Sequence, residues 1–101
     1  MAEKTTSLDG FINGVYEPTN NCFSLIFAVK PDNQPERQIS VDYSYPDEQQ
    51  EAFLALYARI HPVIREPDYG VLSASLMIEG ELEEDKNSYV GVGGWRGICL
   101  G

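Results

Sequence analysis

Apolar and polar residues alternate over most of this chain, and in one stretch the apolar ones recur with helical spacing instead. From Cys22 to Val29, Phe23, Leu25, Phe27 and Val29 share one side of an extended segment, because successive side chains of a strand point to opposite faces. Ile26 and Ala28 make the other side partly apolar, which predicts a strand in the middle of a sheet. Gln38 to Tyr45 alternates cleanly, with Ile39, Val41, Tyr43 and Tyr45 set against Ser40, Asp42 and Ser44. The intervening Lys30 to Arg37 carries Pro31, Asp32, Asn33 and Pro35 and cannot continue a ladder, so the two strands read as an antiparallel hairpin. A shorter apolar piece, Phe11 to Tyr16, is broken by Gly14 and followed by the turn Pro18-Thr19-Asn20-Asn21.

The period changes after Tyr45. Phe53, Leu56, Tyr57 and Ile60 recur at i, i+3, i+4 and i+7, the stripe of an amphipathic helix packed on a sheet. Proline suits a first helical turn, Asp47 and Gln50 have capping-box spacing, and Asp47, Glu48 and Glu51 sit where the helix dipole favours anions. Pro62 is expected to stop the helix, giving bounds of about 46–61.

Alternation returns from Val71 to Glu83. Leu72, Ala74, Leu76, Ile78 and Leu82 share one parity; Ser73, Ser75, Met77, Glu79, Glu81 and Glu83 share the other. The pattern predicts one long strand with a dry and a wet face, a helix over 69–77 being the competing reading. Glu84 to Asn87 then reads as a turn. Ser88 to Leu100 reads as a last strand or pair of strands, loosened by Gly91, Gly93, Gly94 and Gly97.

The element order βββαββ predicts a single α+β domain: an antiparallel sheet of about five strands with one helix on one face. At 101 residues there is no length for a second domain. Residues 1–7 are polar and unpatterned and are expected to be a flexible tail, leaving 8–101 as the domain. Composition supports this, since 43% hydrophobic and 23% charged residues describe a globular chain rather than a disordered one. No apolar run approaches the roughly 20 residues that cross a bilayer, and no basic segment leads into an apolar one, so neither a span nor a secretory signal is expected. The expected compartment is the cytoplasm.

Charge narrows the range of partners. Seven basic against sixteen acidic residues leave a net −9, which opposes direct binding to nucleic acid or to an anionic membrane and favours a basic protein. The acidity is concentrated. Five of the seven residues from Glu79 to Asp85 are acidic, and on a strand Glu79, Glu81 and Glu83 would project from one face at a spacing of roughly 6.5–7 Å. Such a row is either a solvated strand whose charges prevent edge pairing or a set of carboxylates aimed at Arg and Lys of a partner. Glu48 and Glu51 on the helix, with Glu66 and Asp68 beyond it, would extend the patch if they share its side. Trp95 beside Arg96 combines two residue types enriched at interface hot spots, although a lone tryptophan is as often core.

No catalytic or cofactor site emerges. His61 is the sole histidine, placed at the helix end where the dipole favours a positive charge. Asp85-Lys86-Asn87 begins like a calcium loop, but Tyr89 stands where an oxygen ligand is needed and Val90 where glycine is. The glycines from Gly91 to Gly97 lack the Lys-Ser/Thr of a phosphate loop and precede no helix. There is no Gly-x-Ser-x-Gly elbow. Cys22 and Cys99 match no metal or redox spacing; small apolar residues in a reducing compartment are expected, one disulfide the alternative.

These observations predict a small, acidic, non-enzymatic inhibitory binding protein without cofactor or metal, monomeric or weakly dimeric. The leading expectation is an immunity protein, an antitoxin in the broad sense, neutralising a basic toxin of nuclease type. Its expected contacts are Glu79, Glu81, Glu83, Glu84, Asp85, Glu48, Glu51 and Trp95. The alternatives are a phage-type inhibitor of a nucleic-acid enzyme, or a ligand-binding or enzymatic α+β domain with a pocket between helix and sheet lined by Tyr43, Tyr45, Tyr57 or Trp95.

Overall fold

A computed structural model describes residues 4–65 and 72–101. Strands β1 (Thr5–Val15), β2 (Cys22–Val29) and β3 (Arg37–Ser44) form consecutive antiparallel hairpins. A 3-10 turn (Asp47–Gln49) leads into α1 (Gln50–Arg65), after which β4 (Leu72–Glu79) returns to pair with β1. Three hairpin-linked strands with a fourth laid beside the first make a Greek key. Strands β5 (Ser88–Val90) and β6 (Ile98–Leu100) complete a six-stranded sheet in the order β5-β3-β2-β1-β4-β6. The α+β class, the central position of β2 and the β2–β3 hairpin agree with the pattern of the sequence.

The sheet closes on itself. β5 runs parallel to β3, yet the next residues cross to the opposite end of the strand order: Gly91 bridges Ile78, and the Val92 N–H donates to the Met77 carbonyl at 3.0 Å. β1 makes this curvature possible by serving two neighbours, β4 through Thr5 to Ile12 and β2 through Gly10 to Val15, with a bulge between Ile12 and Gly14. The result is a small, partly open Greek-key barrel, the architecture that the OB-fold exemplifies. Ile12, Phe23, Leu25, Phe27, Ile39, Val41, Leu76 and Ile78 fill its interior without solvent exposure beyond 2%.

The helix plugs one end of the barrel. Phe53 is fully buried and meets Tyr45 in a stacked arrangement, ring centroids 4.2 Å apart, with Phe23 at 5.5 Å and Tyr43 at 6.2 Å. Leu56 and Ile60 continue the buried stripe as expected.

Four local expectations are corrected. Residues Thr5–Ser7 are not tail but the start of β1, held by backbone pairing to Met77–Glu79, a bond that needs no apolar side chain; Met1 to Glu3 lie outside the described residues. Pro62 does not stop the helix, which runs to Arg65. Proline removes one bond to the Ala58 carbonyl, but Ile64 extends the stripe by one turn and packs against the core, which offsets the loss. The capping box does not form: Asp47 Oδ1 instead accepts from Asn21 Nδ2 at 2.7 Å, and the cap position has no side-chain hydrogen bond. The sheet has six strands rather than five, because the last one is interrupted. As for the competing helix over 69–77, Leu72–Met77 are strand and 69–71 lie outside the described residues.

Candidate functional site

The long strand read from Val71 to Glu83 ends at Glu79. Gly80 has φ +82°, a left-handed conformation that turns the chain out of the ladder. Leu82 keeps the apolar parity only because it tucks back against the core from a loop. The row of glutamates on one strand face is therefore not present. Glu79 is the last strand residue, while Glu81, Glu83, Glu84 and Asp85 belong to the β4–β5 loop, all four exposed.

That loop is nonetheless firmly held. Its first residue is pinned on both sides, the Gly80 N–H donating to the Lys4 carbonyl at 2.7 Å and Thr6 Oγ1 donating to the Gly80 carbonyl at 2.6 Å. Its middle is organised by Tyr89, whose ring is buried in the barrel and whose hydroxyl emerges beneath the loop. The Glu83 N–H donates to Tyr89 Oη at 2.8 Å, and the hydroxyl in turn faces the Lys86 carbonyl at 2.9 Å and the Glu83 carbonyl at 3.1 Å. Arg37 donates to the Lys86 carbonyl from β3, and Lys86 Nζ lies 4.9 Å from the Tyr89 ring centroid. The backbone is thus fixed from inside and the carboxylates are left to point outward. Lys4 pairs with Glu81, and Lys86 lies 3.9 Å from Glu83; Glu84 and Asp85 make no ion pair among the described residues. From Glu79 to Asn87 five acidic residues and one lysine give this segment a net charge of −4.

The remaining expected contacts lie elsewhere. Arg37, at the start of β3, touches the acidic loop, whereas β3 ends next to the turn that carries Glu48 and leads to Glu51. Eight strand residues separate the two, roughly 25 Å at about 3.3 Å each. Glu48 and Glu51 therefore belong to the helix end of the barrel and do not join the acidic loop, and Trp95 faces α1 rather than the loop. Glu66 and Asp68 lie outside the described residues.

Trp95 reaches α1 through an irregularity of the last strand. Ile78 faces Gly91 and Leu76 faces Ile98, whereas an unbroken antiparallel strand would set Gly93 opposite Leu76. Five residues, Gly93 to Gly97, are extruded, with Gly94–Gly97 forming a 3-10 turn and Gly93 its cap. Its neck requires glycine at Gly97, where a Cβ would stand 2.0 Å from the Val92 carbonyl oxygen. Trp95 rides on this turn 40% exposed, with the Arg96 guanidinium 5.1 Å from its ring centroid. A shallow groove of about 160 Å³ separates it from α1, lined by Ala52, Ala55, Leu56, Arg59 and Trp95. Tryptophan here is a surface residue, not core.

Of the residues expected to line a pocket between helix and sheet, Tyr43 and Tyr45 are buried and packed on Phe53, whereas Trp95 lines the groove against α1. Burial drives the Tyr43 hydroxyl pKa well above the usual phenol value, with Cys99 adding to the rise, and raises that of Tyr45 with a contribution from Cys22. Tyr57 and His61 form a tilted ring pair, centroids 4.9 Å apart, and His61 lies within the helix rather than at its end. Cys22 and Cys99 are free thiols on β2 and β6, strands that are not neighbours; Cys22 is half-buried and Cys99 exposed rather than buried. Among the described residues no group of three or more His, Cys, Asp or Glu is placed to hold a metal, and no helix is long and apolar enough to cross a membrane. Sequence reasoning missed Tyr89, whose role depends on a loop fold, and Arg59, whose partner Trp95 is distant in sequence. Comparison with protein-family models, curated proteins and solved structures finds no match to this chain.

Proposed function

We propose that this protein is a non-enzymatic inhibitory binding protein that engages a basic protein through the β4–β5 loop. The observation that carries this reading is the Tyr89 clamp. Four exposed carboxylates, those of Glu81, Glu83, Glu84 and Asp85, stand on a backbone whose shape is set by a buried hydroxyl and by bonds to Lys4, Thr6 and Arg37. A charged loop held in this way loses little conformational freedom on binding, and its field accelerates encounter with a positive surface. The same charge opposes the polyanionic ligands that barrels of this architecture often bind, and architecture alone does not assign a function. An immunity protein against a basic nuclease toxin fits this surface best; a phage-type inhibitor of a nucleic-acid enzyme would use it in the same way.

The test is titration calorimetry of the protein against basic nuclease toxins, at low and high salt. Tight binding that weakens steeply with salt, and that is lost in the triple variant Glu81→Lys, Glu83→Lys, Glu84→Lys, is the expected result. Affinity unchanged by salt or by the triple reversal would overturn the assignment of this loop.

A further inference from the structure

The groove between α1 and the extruded turn has a different chemistry from the acidic loop. We propose that it is a second docking site, for a peptide segment that sets one apolar side chain against Trp95 and a neighbouring carboxylate against Arg59 and Arg96. The inference does not rest on the function proposed for the loop, since the two surfaces are built from different elements and select opposite charges.

Size comes first. About 160 Å³ is close to the cavity volume that admits a benzene molecule, so the groove takes one aromatic or large aliphatic side chain and no more. Its helix wall is small and apolar where Ala52 and Ala55 stand, which lets a peptide approach the helix closely. Charge comes second. In a chain with seven basic residues and a net charge of −9, two arginines converge on one tryptophan: Arg59 lines the groove and the Arg96 guanidinium lies by the indole. Glu48 and Glu51 stand at the other, N-terminal end of the helix, so charge runs from negative to positive along its length. A ligand carboxylate is therefore favoured only at the Arg59 end, which fixes the direction of the peptide. Construction comes third. The turn contributes nothing to the barrel ladder, needs glycine at its neck, and lifts a large aromatic into water. Tryptophan and arginine together, beside a pocket of side-chain size, are the composition of an interface hot spot.

Trp95 is the single tryptophan, so its fluorescence reports on the groove directly. The blocked peptide Gly-Glu-Phe-Glu-Gly is titrated into the full-length protein beside its counterpart Gly-Lys-Phe-Lys-Gly. The acidic peptide is expected to shift the emission and saturate below about 1 mM, the weak end of specific affinity; the basic one is expected to do neither. Arg59→Glu should weaken the acidic peptide about tenfold, because the reversal replaces an attraction with a repulsion. Ala55→Leu should abolish the response by filling the groove, with an unchanged circular dichroism spectrum showing that the fold persists. Reversal of Glu81, Glu83 and Glu84 should leave the response intact. Equal binding of both peptides, no saturation by the acidic one, or indifference to Arg59→Glu would overturn the proposal. So would an emission shift with protein concentration alone, which would mean that a second copy fills the groove.

Discussion

Tyr43 and Tyr89 are both almost fully buried, 1% and 2% exposed, and they mark the two ends of the barrel. At the acidic end the Tyr89 hydroxyl has three backbone partners within hydrogen-bond distance. At the helix end the Tyr43 hydroxyl has none among the described residues, and Gln49 Oε1 is likewise unpaired. One end is organised by hydrogen bonds around a charged loop; the other is held by aromatic packing and tolerates unsatisfied polar atoms. The difference follows from what each end must fix. A loop of like charges has no apolar surface of its own to hold its shape, so its backbone must be bonded from beneath, whereas a helix plug is positioned by the area it buries.

The strongest test of this division is Phe53→Ala. Phe53 touches Phe23, Tyr43 and Tyr45 and is fully buried, so truncation leaves a cavity at the junction of helix and barrel. A loss of about 3–5 kcal/mol is expected in urea unfolding, a large share of the stability of a domain this size. A loss below about 1 kcal/mol would show that the helix is not what holds this end together.

Tyr89→Phe probes the other end. It keeps the buried ring and removes the hydroxyl, leaving the Glu83 N–H and the Lys86 carbonyl without their shared partner. The expected cost is about 1–2 kcal/mol, less than the full penalty for a buried orphan because an opening loop can turn to water. Amide exchange should accelerate at Glu83 and Lys86 while β2 stays protected. Uniformly faster exchange would mean that Tyr89 stabilises the barrel rather than the loop.

The sequence disclosed the parts of the molecule that obey one period. β2 and β3 were legible because each is a barrel stave with an inward and an outward side, and Phe23 to Val29 and Ile39 to Tyr45 record that alternation directly. The helix stripe was legible for the same reason, but its end was not: Pro62 marks a preference, and burial of Ile64 outweighs it. Glu79, Glu81 and Glu83 misled because a loop retained strand parity by accident of where Leu82 tucks in. Thr5 to Ser7 were invisible because backbone pairing leaves no mark on side-chain polarity. The two candidate surfaces were half legible. The clustering of acid from Glu79 to Asp85 and the Trp95–Arg96 pair stand in the chain, but the closure that brings the last residues back to β4 and sets Trp95 against α1 depends on Gly91 meeting Ile78 across the sheet.

The smallest effect expected is also the most discriminating. Tyr43→Phe removes a buried hydroxyl that bonds to nothing described, so it should leave stability unchanged or raise it by about 1 kcal/mol, the opposite sign to the same substitution at Tyr89. The pH dependence separates the two cases further. Burial raises the pKa of Tyr43 in the folded protein above its ordinary value of 10.0. The folded state thus keeps its proton where the unfolded chain releases one. This residue's contribution to stability is complete below about pH 10 and is lost as pH rises above it toward the folded pKa. Tyr43→Phe should therefore flatten the alkaline limb of the stability profile while leaving the neutral region at or above wild type. A loss of more than about 1 kcal/mol at neutral pH would instead show that the hydroxyl is satisfied, as by an ordered water, and that the helix end is bonded as well as packed.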